Sequence, residues 1–588
     1  MKQQKIKLKA MLKTLYPFIA PYKWGYVTAI LMVFVTTLTL AIAPSVEGSI
    51  TSGLIEDVMA QRAVRFDVIF ETLVVLLGLY MIKTVSQVVE IYTLTNAIQN
   101  AMHDLRDALQ LKIRRLPIRY FDNHKYGDIL SVITNDVDTL SNALQQSFMN
   151  ILQGTLTLCM ALFMMWQINA QMALIAMMLV PLALLITQWI VHRSQKKFNA
   201  QQDALGRLSG TITELYGGFH EILLYNRQRK AVDDFKNVNS ELQANAFQAQ
   251  FMSSMISPLI SLCTYLIIGT IALIGSIYAI GKTILVGELQ AFIRYIWQVN
   301  DPLSQVSNLS AQIQSAFAAM RRIVILLEES EEIAEATEPI HLKKAVGNVS
   351  FEHVRFGYGK EAVIKDFSVE VKAGQMIAIV GPTGAGKTTL INLLERFYDV
   401  NGGAIKIDGV DIRDMTRKEL RDIFAMVLQD TWLFSGTIYD NIRYGRLDAR
   451  KDEVIQAAKD ANVHHFIRTL SDGYDMVLNE EGSNISQGEK QLLTIARAFL
   501  KDPQILILDE ATSSVDTRLE KMLQEAMHNV MKGRTSFVIA HRLSTIRNAD
   551  LILVLQDGNV VEQGTHEELL AQKGAYEALY RSQFAVND

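Results

Sequence analysis

The chain has 588 residues, which is more than one ordinary domain needs, and 49% of its residues are hydrophobic while only 20% are charged. A formal net charge of −4 gives no basic surface for nucleic acid, so we exclude nucleic acid as a partner. The only cysteines in the sequence, Cys159 and Cys263, lie in apolar runs. We therefore exclude a disulfide framework and a metal cluster, and we expect core or lipid-facing side chains.

The first half of the chain, up to about residue 320, contains apolar runs long enough to cross about 30 Å of hydrocarbon. We predict six transmembrane helices, at 24–46, 68–93, 147–166, 171–190, 255–279 and 286–309. The Lys-rich start is followed by a long hydrophobic run without a small-residue cleavage site, so no cleavable signal is predicted. An even number of spans returns the chain to the side on which it started.

The charge of the connecting segments predicts the orientation of these helices. The long segments 94–146 and 191–254 carry many Arg and Lys residues and are expected in the cytoplasm. Segment 47–67, which has more acids than bases, and the short turns 167–170 and 280–285 are then outside. Both termini are consequently predicted in the cytoplasm, with the protein in the plasma membrane.

The two cytoplasmic segments are rich in helix formers and poor in Gly and Pro, so they are predicted to continue the transmembrane helices. Each is interrupted by one short break, near Tyr126-Gly127-Asp128 and near Tyr216-Gly217-Gly218. Solvated helical hairpins are one interpretation. If a cytosolic ATPase follows, each break is instead a candidate contact with it. After the last span, an acidic stretch and Pro339 predict a solvated linker.

A phosphate-binding loop follows the apolar stretch 376–380, which we interpret as a strand. Its residues are Gly381, Pro382, Thr383, Gly384, Ala385, Gly386, Lys387 and Thr388, and Thr389, which begins the following helix-compatible run, is a further candidate for nucleotide binding. Glycines let backbone N–H groups close round a phosphate, Lys387 can reach the β- and γ-phosphates, and Thr388 can ligate Mg²⁺. A helix-compatible run follows, which gives the order strand, phosphate loop, helix and predicts a nucleotide site, pending further motifs that support it.

A second nucleotide signature is the run 505–508 of four aliphatic residues that ends in Asp509 and Glu510. This pattern predicts a buried parallel strand that delivers two carboxylates to the carboxyl edge of a sheet. Asp509 is placed to hold Mg²⁺, and Glu510 to orient or deprotonate the water that attacks the γ-phosphate.

With both signatures in place, the chain resembles the ATP-binding cassette (ABC) transporter family, because further short motifs occur in that family's order. The matching positions, with the roles that the resemblance implies, are Tyr358 (stacking on adenine), Gln429 (the Mg²⁺ and water site), Glu480 and Asp516 (coupling), Ser486 and Gly488 (the signature loop, binding ATP in trans) and His541 (sensing the γ-phosphate). The resemblance makes Glu510, His541 and Gln429 the candidate catalytic residues.

The membrane half resembles the exporter branch of this family, in which six helices precede the nucleotide-binding domain. Its two coupling regions match at Tyr120-Phe121-Asp122, Tyr126-Gly127-Asp128, Thr134-Asn135-Asp136 and Glu214 with Gly217 and Gly218. The resemblance thus implies a multidomain chain. An all-α transmembrane domain (1–320) with long cytoplasmic extensions and a linker (321–345) precede an α/β P-loop nucleotide-binding domain (346–588).

The family mechanism, as the resemblance implies it, requires two such chains. ATP on the phosphate loop of one chain is capped by the signature loop of the other, and closure of the nucleotide domains drives the membrane cavity from inward-facing to outward-facing. The partners implied are a second half-transporter chain, the lipid bilayer and an exported substrate. Fusion of the domains in the exporter order disfavours an importer.

The signature loop departs from the family's Leu-Ser-Gly-Gly-Gln, since it reads Ile485-Ser486-Gln487-Gly488-Glu489. Gln487 adds a side chain where backbone approach is tight, and Glu489 brings a carboxylate near a triphosphate. The chain's own hydrolytic residues are intact. This combination predicts one half of an asymmetric heterodimer, while a homodimer that tolerates the changes is the alternative.

Ionisable groups inside the spans are candidates for substrate contact. Lys83 and Glu90 are two turns apart in the second span and Arg294 lies in the sixth; they could instead pair with each other or with the partner chain. Side chains that suit an amphipathic small molecule are Met160, Met164, Met165, Met177, Met178, Tyr295 and Trp297, which could equally be core or lipid-facing. Multidrug-type export is the favoured function; a lipid or peptide exporter and a nucleotide-gated regulator are the alternatives.

Overall fold

The structure is a computed structural model that describes residues 8–342, 344–359, 361–428, 431–479, 482–509, 517–540 and 543–583. These residues form two compact units. The first contains the described residues up to Leu116 together with His124–Ser330. The second contains Pro117–Asn123 together with the described residues from Glu331 onward. The short segment Pro117–Asn123 therefore groups with the second unit although its chain neighbours belong to the first.

The first unit is helical, as predicted. Its long helices are α1 (Leu8–Ile19), α2 (Lys23–Met59), α3 (Phe66–Arg115), α7 (Met149–Ile168), α8 (Ala170–Met177), α9 (Leu179–Gly217), α11 (Gln228–Ser254), α12 (Ile256–Ile280) and α13 (Val286–Glu328). The short ones are α5 (Tyr126–Ser131), α6 (Val137–Asn142) and α10 (Phe219–Leu224), with α4 (Ile118–Asn123) in the second unit. Two π-helical turns, 132–136 and 143–148, flank α6.

Among the described residues, five continuous helical segments are long and apolar enough to cross a membrane. They are Lys13–Met59, Phe66–Arg115, Tyr126–Ile168, Ala170–Gly217 and Gln228–Ile280. Each contains one predicted span, and the last four also extend into the connecting segments 94–146 or 191–254, where helical continuations were predicted. The sixth predicted span begins together with α13; side chains 304–311 of that helix lie outside the described residues.

Two glycines allow α2 and α13 to pack backbone against backbone. A Cβ added at Gly48 would lie 2.2 Å from the carbonyl oxygen of Gly287, and the Gly287 N–H donates to the Ser52 hydroxyl at 3.0 Å. Close approach at small residues is how helices associate in a membrane. Further along the same pair, buried Tyr295 donates to the Ala41 carbonyl oxygen at 2.7 Å. This crossing fixes which residues of α2 and α13 face each other.

The two breaks in the long connecting segments lie close to their predicted positions. In the first, α3 ends at Arg115 and α4 precedes α5, so Tyr126, Gly127 and Asp128 form the first turn of α5 rather than the break itself. In the second, α9 ends at Gly217, and the Gly218 N–H donates to the Glu214 carbonyl at 2.8 Å before α10 begins. Each break therefore carries one short helix of six residues, α4 or α10.

The second unit is α/β, as predicted. Its strands are β1 (Val349–Phe356), β2 (Ile364–Val371), β3 (Met376–Val380), β4 (Gly402–Ile407), β5 (Val410–Asp411), β6 (Phe424–Val427), β7 (Gly436–Thr437), β8 (Val477–Leu478), β9 (Ile505–Asp509), β10 (Thr535–Ile539), β11 (Leu551–Gln556) and β12 (Asn559–Gly564). The main sheet has the order β12-β11-β3-β10-β9-β6, a second sheet has the order β2-β1-β4-β5, and β7 pairs with β8.

Helices cover the main sheet, whose central strands are apolar on both faces. The helices are α14 (Lys387–Leu394), α15 (Arg417–Ile423), α16 (Ile438–Arg443), α17 (Lys451–Asp460), α18 (His464–Thr469), α19 (Gln487–Lys501), α20 (Thr517–Met531), α21 (Leu543–Arg547), α22 (His566–Gln572) and α23 (Ala575–Gln583). Strands β11, β3, β10, β9 and β6 run parallel and β12 runs antiparallel. The carboxyl ends of five strands therefore meet at one edge.

Candidate nucleotide site and its connections

The two predicted nucleotide signatures lie at the carboxyl edge of the main sheet. The phosphate loop follows β3, and Asp509 is the last residue of β9. Strand β10 lies between them, because Ile539 pairs with both Asp509 and Ile379. Ligands of open α/β sheets bind at this edge. The structure thus brings the loop and Asp509 together, although 127 residues separate Pro382 from Asp509 in the sequence.

Three glycines give the loop a conformation that other residues rarely adopt. The φ angles are +152° at Gly381, +85° at Gly384 and +104° at Gly386. A Cβ at Gly381 would also lie 2.2 Å from the carbonyl oxygen of Leu555 on neighbouring β11. The loop therefore requires glycine at these three positions for its backbone conformation, and at Gly381 also for lack of space, as the phosphate-loop prediction assumes.

Lys387, the first residue of α14, folds back over the loop. Its ammonium group donates to the carbonyl oxygens of Gly381 at 2.7 Å and Pro382 at 3.0 Å. Burial lowers the pKa of Lys387, while the nearby Asp509 carboxylate raises it. The lysine, the loop carbonyls and the acid of β9 consequently form one electrostatic group.

The arrangement fits a nucleotide phosphate with its metal ion. The loop opens directly into α14, whose free N–H groups and dipole favour an anion. Thr388 is exposed in the first turn of this helix, where its hydroxyl is available as an oxygen ligand, and Asp509 supplies a second hard oxygen donor. The remaining predicted catalytic residues, Gln429, Glu510 and His541, lie outside the described residues.

The predicted adenine-stacking residue, Tyr358, belongs to an aromatic cluster beside the loop. Its hydroxyl donates to the Thr389 hydroxyl of α14 at 3.2 Å. Its ring meets Phe356 at 5.0 Å and Tyr398 at 4.9 Å between centroids, both edge to face. Tyr358 is 38% exposed, so part of the residue is accessible to a ligand.

Tyr398 connects this cluster to α4, which lies in the first of the two breaks, and sequence reasoning did not single out this tyrosine. Its hydroxyl donates to the carboxylate of Asp122 on α4. Burial and the Asp122 carboxylate raise the pKa of Tyr398. The buried guanidinium of Arg396 fixes the preceding turn by donating to the carbonyl oxygens of Ile412 and Met415, both at 3.1 Å. The adenine end of the site is therefore linked to α4 through one aromatic residue.

The altered signature loop forms the N-terminus of α19. Ser486 is the N-cap, and its N–H donates to a carboxylate oxygen of Glu489 at 2.8 Å in a capping box. Gly488 is buried and Gln487 is exposed. The carboxylate of Glu489 thus has a structural role that Gln could also fill, which sequence reasoning did not foresee.

Arg497 is a further residue that sequence reasoning missed. It lies in α19 and donates to the carbonyl oxygens of Trp432 at 2.7 Å and Asn441 at 2.6 Å, and to the Asn441 side chain at 2.6 Å. Burial lowers the pKa of Arg497 to about 10. The signature helix is thereby tied to the segment that follows Gln429.

Of the predicted coupling residues, Gly127, Asp128, Glu214 and Gly217 lie at the two breaks. Glu480 and Asp516 lie outside the described residues. Inside the first unit, Asp136 of the quoted Thr-Asn-Asp motif is 2% exposed and accepts two hydrogen bonds from Arg322 of α13. Only the motif, and not this partner, was evident from the sequence.

The ionisable residues of the spans do not pair with each other within α3. Glu90 is buried and Lys83 is half-buried, and no ion pair joins them in the part of the chain that the structure describes. Arg294 instead lies 3.7 Å from Glu47 of α2. Met165 and Tyr295 are buried, whereas Met177 and Met178 are exposed.

Comparison with known proteins decides the family. Residues 26–303 match the family described as "ABC transporter transmembrane region", and residues 364–513 match "ABC transporter". A relative from Mycobacterium bovis, "Fatty acid ABC transporter ATP-binding/permease protein", is 44% identical over 90% of this chain and 83% of its own. The chain belongs to the ABC transporter family. It is an exporter-type ATPase with its membrane and nucleotide-binding parts fused.

Two further comparisons extend over nearly the whole transporter. The "ATP-dependent lipid A-core flippase" of Nitrosococcus oceani is 33% identical over 98% of this chain and 96% of its own. A solved structure of a bacterial Atm1-family ABC exporter with ATP bound superposes with a TM-score of 0.76 at 27% identity, covering 96% of this chain and 99% of the other. The similarity to a half-transporter fold supports ATP binding and a place in a lipid bilayer.

Proposed function

We propose that the transporter uses ATP hydrolysis to export hydrophobic or amphipathic compounds outward across the plasma membrane by alternating access. Both termini and the nucleotide-binding part then lie in the cytoplasm. The observation that carries this proposal is the pairing, in one chain, of a formed phosphate loop facing Asp509 with a helical membrane unit. A nucleotide site fused to a membrane unit contributes more than nucleotide binding when ATP hydrolysis drives a conformational cycle of that unit.

In this proposal each residue of the nucleotide site has one role. Lys387 and the glycine-rich loop hold the phosphates, and Tyr358 orients the base. Thr388, Asp509 and Gln429 would hold Mg²⁺, which when bound offsets charge on the phosphate oxygens. Glu510 and His541 are assigned to the attacking water and to the γ-phosphate. This division follows phosphoryl transfer by positioning and electrostatics, with no covalent step on the protein.

The site requires a second chain in this proposal, and two exposed surfaces support that. The signature loop at Ser486 and Gln487 is exposed at the start of α19. The tip of the second cytoplasmic loop is also exposed and apolar: Tyr216 is 80%, Leu224 78% and Tyr225 71% accessible. Exposed apolar clusters of this kind mark protein contacts.

We further propose that the second chain differs from this one. Gln487 places a side chain at the position where the family has glycine, and Glu489, which caps α19, places a carboxyl group where the family has glutamine. Both changes weaken the site that this loop completes, while the site built on Lys387 and Asp509 is intact. A homodimer would carry the altered loop at both sites.

The cargo class follows from what the relatives share. A fatty acid and lipid A-core, named for the two relatives above, both join a polar head to apolar chains. Multidrug export would require recognition of the same kind of amphipathic compound by a less selective cavity. A regulator that is gated by nucleotide without pumping is the second candidate, and fast hydrolysis distinguishes the two because a gate needs binding alone.

The test is ATP-dependent accumulation of an amphipathic dye in inside-out vesicles. Glu510→Gln should abolish accumulation, whereas the exposed Glu525→Gln in α20, a matched loss of one carboxylate, should not change it. Dye movement that continues in the Glu510→Gln transporter would contradict the pump. ATPase activity measured on the chain purified alone and on co-expressed pairs tests the heterodimer, and full activity of the chain alone would contradict it.

A further inference from the structure

The linker that follows α13, which the sequence predicts to be solvated, is attached to the second unit by Arg417 of α15. The backbone N–H of Arg417 donates to a carboxylate oxygen of Glu335 at 2.9 Å, and its guanidinium donates to the carbonyl oxygen of Ile333 at 2.8 Å. The same guanidinium lies 3.6 Å from the Glu332 carboxylate. Arg417 is only 8% exposed, so loss of these partners would be costly. The linker is therefore docked at 332–335.

Arg417 also faces the segment 396–401, which joins α14 to β4 and which we call the base loop. A third nitrogen of its guanidinium, separate from the two that face the linker, lies 3.7 Å from the Asp399 carboxylate. The other oxygen of Asp399 accepts a hydrogen bond from Nε of Arg396 at 2.8 Å, and the Arg396 side chain is buried. Asp399 thus lies between two arginines. One planar guanidinium therefore joins the docked linker to the base loop.

The base loop in turn holds Tyr358, the residue proposed to stack on the nucleotide base. The N–H of Gly357, which precedes Tyr358, donates to the side-chain oxygen of Asn401 at 2.8 Å. The N–H of Asn401 donates to the carbonyl oxygen of Arg355 at 2.8 Å. The ring of Tyr398 meets that of Tyr358 edge to face, with 4.9 Å between centroids. Both the backbone before Tyr358 and its ring are thus supported by the base loop.

A cavity of about 250 Å³ lies between the linker and Tyr358. Its walls include linker residues 331–333, residues 356–358, Arg417 and most of the base loop. Where Tyr358 borders this cavity it lacks packing contacts, so close packing does not fix its position on that side. The position of Tyr358 depends instead on the base loop, and the base loop depends on the ion pairs of Asp399.

We propose that Arg417 is a positioning residue for the nucleotide base: it clamps the docked linker to Asp399 of the base loop and thereby holds Tyr358 where its ring meets the base. This inference rests on the proposed stacking role of Tyr358, and it adds a residue that acts through Tyr358 and not on the nucleotide itself. The phosphate loop has its own supports in its three glycines and Lys387. Arg417 therefore influences binding of the base and not of the phosphates.

The experiment measures how ATP and inorganic triphosphate, which lacks the base, displace a ribose-labelled fluorescent ATP from the full-length transporter. Arg417→Gln should weaken ATP binding about threefold to tenfold, the range expected for loss of one aromatic contact, and leave triphosphate binding unchanged. Asp399→Asn should have the same base-selective effect, because it removes the anion that Arg417 faces. In ATPase assays, Arg417→Gln should raise KM and leave kcat unchanged.

Arg534→Gln is the matched control for a loss of stability. Arg534 precedes β10, at the opposite edge of the main sheet from the phosphate loop. Its side chain is 17% exposed and forms an ion pair with Asp502. This change should lower the melting midpoint, as Arg417→Gln does, without changing the affinity for ATP.

A double variant separates positioning from a merely structural role. In a Tyr358→Ala background, Arg417→Gln should cause no further loss of ATP affinity, because the ring that Arg417 positions is gone. Equal weakening of ATP and triphosphate by Arg417→Gln, or additive losses in the double variant, would overturn the inference. Unchanged ATP affinity in Tyr358→Ala would contradict the proposed stacking role and the inference with it. A loss in Tyr358→Ala with full affinity in Arg417→Gln would overturn the inference alone.

Discussion

The ion pair between Asp136 and Arg322 offers a direct test of how the helices of the first unit are held together. Asp136 ends the π-helical turn 132–136 and is 2% exposed, and Arg322 lies in α13. The guanidinium donates to both carboxylate oxygens, at 2.6 Å for Nε to Oδ2. Replacing Arg322 with Gln would leave a buried carboxylate without its counter-charge.

The magnitude follows from the burial of the two partners. Removing one partner of a fully buried ion pair costs about 3–5 kcal/mol. The Arg322 side chain is 58% exposed, so solvent screens part of the interaction and we expect about 2–3 kcal/mol. A matched control exists nearby. Arg106 and Asp138 form a pair at 2.6 Å whose side chains are 38% and 62% exposed, and Arg106→Gln should cost only about 0–1 kcal/mol.

The assay is thermal unfolding of the detergent-purified transporter, followed by size-exclusion chromatography after heating. Arg322→Gln should lower the midpoint several times more than Arg106→Gln. Asp136→Asn combined with Arg322→Gln should lower it by clearly less than the two single changes added together, because the double variant leaves no unpaired charge. Equal effects of Arg322→Gln and Arg106→Gln, or strict additivity in the double variant, would refute the reasoning.

Three further predictions concern the second unit. Tyr398→Phe removes the hydroxyl that donates to Asp122; nucleotide affinity should be kept while the ratio of substrate-stimulated to basal ATPase activity falls, and an unchanged ratio would contradict this link. Gly381→Ala should weaken binding of a fluorescent ATP analogue and lower the melting midpoint, because φ is +152° and the Leu555 carbonyl occupies the space. Burial raises the pKa of Glu395 to about 7 from 4.5, so the native state holds a proton that the unfolded chain has released. Stability should therefore fall as the pH rises from 4.5 through about 7. Glu395→Gln should remove that fall between pH 4.5 and about pH 7, which melting curves would show.

The parts of the nucleotide site that the sequence predicted are those determined by local order along the chain. Glycines before Lys387 specify a loop between a strand and a helix, and four aliphatic residues before Asp509 specify a buried strand. Both signals are short-range, and the rule that parallel strands end at one edge brings the two together. The structure has β3, α14 and β9 at these positions, with the predicted helix starting two residues earlier, at Lys387 instead of Thr389.

The residues that the sequence did not reveal act through long-range partners. Tyr398 is one aromatic among many until Asp122, 276 positions away, accepts its hydrogen bond. Arg322 is an ordinary cytoplasmic cation until Asp136 is seen to be buried. Arg497 lies on the polar-looking side of an amphipathic helix, and its three hydrogen bonds go to Trp432 and Asn441. Composition and periodicity carry no information about such pairs, because each requires the tertiary fold.

The two loops that carry α4 and α10 differ in a way that bears on assembly. The short helix of the first loop, α4, groups with the second unit of its own chain through Asp122 and Tyr398. The corresponding tip of the second loop exposes Tyr216, Leu224 and Tyr225.

The nucleotide machinery shows the same asymmetry. The phosphate loop faces Asp509 of the same chain, whereas the signature loop at the start of α19 is exposed. The loop with α4 and the phosphate loop thus contact residues of their own chain, whereas the tip of the second loop and the signature loop are exposed. If a second chain completes both nucleotide sites, its signature loop acts on the site built on this chain's Lys387, and this chain's altered signature loop acts on the opposite site. The two effects must then be separable. Restoring Gln487→Gly should then raise hydrolysis only at the site built on the partner's phosphate loop.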